Sequence, residues 1–167
     1  MTLSAKIQIP FWPVPMTLHT LTVMALAVAL GPVAAVSVMA AYLVVGALGL
    51  PVFSGSLARG IGLAYMIGPT GGYLLGYLIA SGLVGRWAAG RKTLGRIAAM
   101  LAGLVPIYGL GLAWLSLFLP AHQLIALGAL PFLLGDLLKI GVVAAGVAVL
   151  SRTGLALRLK AFMGSNP

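Results

Sequence analysis

The stretch PFLLGDLLKIG, residues 131–141, places an acid and a base inside an apolar run. Asp136 is the only acidic residue among 167, and Lys139 is the only basic residue between Arg96 and Arg152. A carboxylate within a bilayer costs about 2.5–3.5 kcal/mol on insertion scales and is usually functional. Residues at i and i+3 share one helical face, so the pair is predicted either to contact a ligand or to form an internal ion pair. Ligand contact is favoured, because two leucines would suit the membrane better.

A second candidate is the glycine-rich stretch GLAYMIGPTGGYLLGY, residues 62–77. Glycines permit sharp turns and close approach of the backbone, and Pro69 interrupts a regular helix. A helix beginning near Thr70 would direct its first amide groups towards an anionic group. The alternative is a helix-capping turn with no ligand. The backbone candidates here are Gly68, Gly71 and Gly72.

Other polar residues carry weaker predictions. Arg59 lies in the loop LPVFSGSLARGIG, residues 50–62, where it meets an incoming carboxylate or is a solvated loop charge. His19 and His122 are the only histidines and the chain has no cysteine, so no metal site and no cofactor are predicted. Ser54 leaves a serine hydrolase as a formal alternative, although no nucleophile elbow or orienting carboxylate accompanies it. A second aspartate and a P-loop are both lacking, which excludes an aspartyl protease and ATP hydrolysis by this chain.

Composition predicts the environment in which these residues work. The chain is 62% hydrophobic and 7% charged, with a mean hydropathy of +1.16. Soluble domains carry about 25% charged residues, so we predict an all-α integral membrane protein. The basic residues are concentrated in two clusters, one at 86–96 and one at 152–160, and such clusters orient membrane proteins. Lipid rather than nucleic acid is therefore the expected partner of the +9 charge.

Apolar stretches predict a single membrane domain, residues 1–167, with about five helical spans. They are expected near residues 17–30, 33–49, 69–85, 97–118 and 131–150. The weakly apolar segment 119–130 is predicted to be an external loop or an interfacial helix. If both basic clusters are cytoplasmic, an even number of spans separates them, and the C-terminus is cytoplasmic. The same count places residues 1–16, the loop at 50–68 and Asp136 towards the outside.

Four segments in order make the chain resemble BioY, the biotin-binding S component of energy-coupling-factor (ECF) vitamin transporters. They are SAKIQIPFWPVPMT (4–17), GLPVFSGSLARGIGLAYMIGPTGGYLLGY (49–77), IYGLGLAWL (107–115) and PFLLGDLLKIG (131–141). The proline-rich part of the first segment is either a lid, with Phe11 and Trp12 over an apolar ligand, or an interfacial aromatic belt.

The resemblance implies a non-enzymatic, multi-pass protein of a bacterial plasma membrane that captures biotin from outside. It implies a transmembrane T subunit and two ATPase subunits as partners, although some BioY-type proteins are thought to work without them. The family's acid–lysine motif corresponds to Asp136 and Lys139, and its glycine signature to Gly68 through Tyr73. An S component for another small vitamin is the alternative within the same class.

Three departures from the family accompany the resemblance. Relatives normally have a helix before the first matching segment, whereas only Met1 to Leu3 precede it here. A truncated or misassigned start, or a five-helix variant, is expected, and T-subunit coupling depends on which applies. Relatives typically have Gln where this chain has His19 and Asn where it has Leu104, so a polar pocket contact is expected to be lost at Leu104.

Overall fold

The protein forms a bundle of helices with one short hairpin at one end. The structure is a computed structural model, and it describes residues 1–9, 13–54 and 60–152. In chain order the described elements are α1 (Thr2–Lys6), β1 (Gln8–Ile9), β2 (Met16–Thr17), α2 (His19–Leu30), α3 (Pro32–Ala47), α4 (Leu63–Met66), α5 (Gly71–Ala88), α6 (Thr93–Leu115), α7 (Ala121–Gly128) and α8 (Leu130–Arg152).

Each of the five predicted spans coincides with one helix, namely α2, α3, α5, α6 and α8. The largest difference at an end is at α6, which begins at Thr93 rather than at 97. By length and composition, Thr93–Leu115 and the stretch Ala121–Val149 are able to cross a membrane, and α2 and α3 are apolar but shorter. That all five helices cross the bilayer, and that the chain is one domain, stay predictions.

The turn between α2 and α3 shows why these helices end where they do. Gly31 has a φ of +82°, a backbone conformation that L side chains rarely adopt. Pro32 follows as the first residue of α3, where its missing N–H removes no helical hydrogen bond. Gly85 of α5 packs directly on this turn, with no room for a Cβ. The turn therefore lies at the same end of the bundle as the basic segment 86–96.

The segment 119–130 contains the helix α7, in agreement with one of its two predicted forms. Ala129 has φ −127° and ψ −56°, which interrupts the helix between α7 and α8. The Tyr73 hydroxyl donates to the Gly128 carbonyl oxygen at 2.7 Å and so ties this break to α5. An interfacial position for α7 stays a prediction.

The helices α5 and α6 form the most extensive pair in the bundle. A Cβ at Gly72 would overlap the Leu110 carbonyl oxygen, and one at Gly76 would lie 2.6 Å from the Ile107 Cα. The spacing Gly-x-x-x-Gly therefore lets the two backbones meet, as small residues do between membrane helices. This contact fixes α5 relative to α6 and, through them, the position of the site described below.

The first described residues fold back over one end of the bundle. The strands β1 and β2 pair antiparallel, with Gln8 opposite Thr17 and Ile9 opposite Met16. Between them, Pro13, Val14 and Pro15 are buried. The sequence did not predict this hairpin, because strands of two residues leave too short a pattern to recognise.

Large apolar side chains are also exposed around the outside of the bundle. Among the most exposed are Val33, Leu48, Val105, Leu134, Leu138 and Val142. A soluble protein would bury many of these side chains, whereas lipid tails solvate them without cost. The apolar exterior is consistent with a chain folded for a bilayer.

Candidate binding site

Asp136 and Lys139 meet inside the bundle, about one third of the way along α8. The Lys139 Nζ lies 2.9 Å from the Asp136 Oδ1, and Asp136 is only 3% exposed. The Tyr108 hydroxyl, from α6, donates to the other carboxylate oxygen at 2.8 Å. Lys139 also donates to the Thr17 carbonyl oxygen of β2 at 2.7 Å. The Asp136–Lys139 pair thus connects α8 with α6 and with the hairpin.

The i, i+3 spacing brings Asp136 and Lys139 together on one face of α8. The position at which α8 begins sets how far along the helix they lie. Pro131 occupies the first turn of the helix, where proline is tolerated. Asp136 comes six residues after Leu130, or about 9 Å along the axis at 1.5 Å per residue. The carboxylate therefore lies too far into α8 for the helix N-terminus to stabilise it and depends on its partners, since an unpaired buried charge is costly.

Two adjoining cavities lie beside this ion pair. The Asp136 cavity, of about 320 Å³ with its open mouth, is lined by Asp136, Lys139, Tyr108, Thr20, Ile107 and Phe132. The His19 cavity, of about 350 Å³, is lined by His19, Tyr42, Phe53, Ser54, Tyr65, Thr70 and Leu74. A shared wall of Val14, Pro15, Thr17, Tyr73 and Tyr77 borders both cavities. Three of these five wall residues belong to the hairpin segment.

All five tyrosines of the sequence line one or both cavities. Each offers an apolar ring and a hydroxyl, the combination that suits a small ligand with both kinds of surface. Their hydroxyl groups already meet polar partners: Tyr77 meets the Thr20 hydroxyl at 3.2 Å, and Tyr42 donates to the Val52 carbonyl oxygen at 3.3 Å. Sequence reasoning singled out only Tyr73. A signal for the other tyrosines was available in the sequence, because no tyrosine lies in the basic segments or the C-terminal tail.

His19 is the buried polar group at the far side of the shared wall. It is 4% exposed, and its ring lies between those of Tyr42 and Tyr77, at centroid distances of 5.0 and 5.3 Å. Its Nε2 atom is buried and has no hydrogen-bond partner within the described part of the chain. Beside it in the same cavity, the hydroxyl groups of Ser54 and Tyr65 form a hydrogen bond of 2.8 Å.

The residues predicted from the glycine signature divide into two groups. Thr70 and Tyr73 line the His19 cavity. Gly71 and Gly72 pack against Met66 and α6 and leave no space for a Cβ, and the Gly68 carbonyl oxygen accepts a hydrogen bond from Trp114. The helix α5 does begin next to Thr70, as predicted. A direct role for the three glycines in ligand binding stays a prediction.

Three further sequence predictions concern Arg59, Leu104 and metal binding. Arg59 lies outside the described residues. Leu104 is buried among apolar side chains of the core and borders neither cavity. Within the described ranges, no group of three or more acidic or histidine side chains is placed to hold a metal ion.

Comparison with known proteins identifies the family. The family model described as "BioY family" matches residues 1–155. The chain belongs to the BioY family. Relatives include a "Probable biotin transporter BioY" of Pyrococcus horikoshii, 36% identical over 83% of this chain and 81% of the relative. The "Biotin transporter BioY" of Thermotoga maritima is 37% identical over 87% of this chain and 85% of the relative.

A solved structure has the same fold as this BioY protein. It is a crystal structure of "the S-component for biotin from an ECF-type ABC transporter", with a TM-score of 0.76 and 27% identity. The match covers 90% of this chain and 84% of that one. The predicted fold class, an all-α integral membrane protein, is confirmed, and BioY is a family of transporter components rather than enzymes. The family therefore gives no support to a hydrolase at Ser54.

Proposed function

We propose that this BioY protein is the substrate-capture component of a biotin uptake system and that it binds biotin in the two cavities. The observation that carries the proposal is the buried Asp136–Lys139 pair facing a cavity between helices. The family, with relatives named as biotin transporters, supports biotin as the ligand.

The chemistry of biotin suits the Asp136 cavity. The ureido group carries two N–H donors and a carbonyl acceptor. A carboxylate accepts about four hydrogen bonds, and Lys139 and Tyr108 use two of them at Asp136. The remaining positions accept ureido N–H groups, while Lys139 donates to the ureido carbonyl. These contacts strengthen as water leaves the site, because a low dielectric favours charge-assisted hydrogen bonds.

The other parts of biotin need apolar contact. The two cavities adjoin at the shared wall, and a bicyclic ligand with a valeryl tail is proposed to extend across both. Val14 and Pro15 of the shared wall offer apolar surface to its thiophane ring and tail.

A partner is proposed to supply the energy for uptake, since the sequence contains no P-loop. We place the protein in the plasma membrane as a multi-pass S component with a cytoplasmic C-terminus. A T subunit and two ATPase subunits are its proposed partners, as the S-component structure suggests in general terms.

Binding of biotin to the purified protein in detergent or nanodiscs tests this function. The change is Asp136→Asn, which keeps the shape of the side chain and removes its charge. Loss of a charge-assisted hydrogen bond predicts a Kd raised about 10-fold or more, measured by calorimetry. Wild-type protein prepared free of ligand is one control. The other is His122→Gln, a change at an exposed residue that borders neither cavity.

Two results would contradict the proposal. An unchanged Kd in Asp136→Asn would remove the carboxylate from the ligand contacts. If the wild-type protein binds another small vitamin in a competition assay and does not bind biotin, biotin is excluded as its ligand.

A further inference from the structure

The His19 cavity contains a second set of polar atoms, separate from the Asp136–Lys139 pair. His19 is more than nine-tenths buried and lines the cavity, and its Nε2 atom has no hydrogen-bond partner among the described residues. A buried polar atom left unpaired costs free energy comparable to a lost hydrogen bond, so such an atom beside a cavity indicates an absent partner. The Ser54–Tyr65 hydroxyl pair borders the same space.

Charge distinguishes the two polar groups. Asp136 is the only acidic residue in the sequence, so no carboxylate side chain is present in the His19 cavity. An anion there meets an imidazole and hydroxyl groups, all of which can donate hydrogen bonds. An anion in the Asp136 cavity instead meets a negative charge that Lys139 already neutralises. Electrostatics therefore assign an anionic group to the His19 cavity.

From this placement we infer that His19 determines specificity for the anionic end of the ligand. Its Nε2–H donates to the carboxylate of the tail, and the Ser54–Tyr65 hydroxyl pair supplies a further donor. The inference rests on the proposed binding of biotin: the ureido group occupies the Asp136 cavity, the apolar part crosses the shared wall, and the tail reaches His19.

The test compares biotin with biotin amide, whose tail is neutral but similar in size. His19→Phe keeps a ring between Tyr42 and Tyr77 and removes the donor. Loss of one hydrogen bond to a charged group predicts a biotin Kd raised about 10- to 100-fold. The Kd of biotin amide is expected to change less than about 3-fold, because its tail gains little from the donor. His19→Gln, which keeps an N–H donor, is expected to retain most of the preference for biotin.

A second variant keeps the test informative if His19→Phe does not fold. Tyr65→Phe removes a hydroxyl and preserves the ring, which stacks on Phe53 at 4.8 Å. It is expected to weaken biotin several-fold more than biotin amide. Equal losses for both ligands, or no loss for either, in a folded variant would overturn the inference. Failure of wild type to bind biotin at all would instead overturn the proposed function.

Discussion

At the scale of single residues, substitution can separate the structural role of the Asp136–Lys139 pair from its proposed role in ligand binding. Breaking a buried ion pair by removing one partner typically costs about 3–5 kcal/mol, since the other charge is left unpaired. Replacing both partners with apolar residues is often neutral. In a membrane, a leucine at each position also avoids the cost of inserting charge.

We therefore predict that Asp136→Leu with Lys139→Leu folds as stably as wild type but no longer binds biotin. Lys139→Leu alone should be clearly less stable, because Asp136 keeps only the Tyr108 hydroxyl as a partner among the described contacts. Thermal unfolding in detergent and calorimetric titration measure the two effects. If the double variant is as unstable as Lys139→Leu alone, the pair is needed for the fold, and the ligand role loses its support.

Sequence reasoning singled out Asp136 and Lys139 of the candidate site and missed most of the neutral residues around them. A lone carboxylate in an apolar run is conspicuous because its cost is high. The i+3 spacing left open the internal ion pair with Lys139 that the structure shows, although ligand contact was the favoured interpretation. Tyr108 and Tyr77 gave no comparable signal, because a tyrosine within an apolar helix is ordinary. The isolation of the His19 Nε2 atom is a property of its surroundings, which only the folded chain assembles.

At the scale of elements, the α5–α6 contact depends on glycines that face a neighbouring backbone. A Cβ at Gly72 would overlap the Leu110 carbonyl, and a backbone cannot move aside as a flexible side chain can. Gly109, in α6, has nothing within 4 Å of its Cβ position. The two glycines therefore provide a comparison between a packed and an open position.

We predict that Gly72→Ala destabilises the protein by about 1–3 kcal/mol through overpacking, whereas Gly109→Ala is neutral or slightly stabilising. Chemical denaturation in detergent measures the free energy of unfolding of each variant. Equal behaviour of the two would show that α5 and α6 do not pack through Gly72.

Elements were more predictable than the contacts between them. Long apolar stretches separated by Gly31–Pro32 and by the basic segment 86–96 gave helix positions within a few residues. Glycines in such stretches have two readings, a turn near a ligand or a close helix contact. For Gly71 and Gly72 the close contact is what the structure shows. Which of the two roles a glycine has depends on the residues of α6 that face it, and the local sequence does not indicate which residues those are.

At the scale of the whole molecule, the absence of cysteine makes the proposed orientation directly testable. We predict that His122→Cys, an exposed residue at the α7 end, reacts with a membrane-impermeant maleimide in intact cells. Lys92→Cys, exposed in the basic segment, should react only after the cells are permeabilised. The wild-type chain provides the unlabelled control. The reverse pattern would place the basic segments outside.

The hydrogen bond from Lys139 to the Thr17 carbonyl joins residues 122 positions apart. During synthesis, chains emerge and fold from the N-terminal end. The hairpin therefore lacks this contact until α8 has been synthesised and has packed against it. Under the proposed function, a chain without α8 lacks both Asp136 and Lys139, so we expect affinity for biotin to appear only after α8 has joined the bundle. Capture of biotin during cell-free translation would then report that the bundle is assembled.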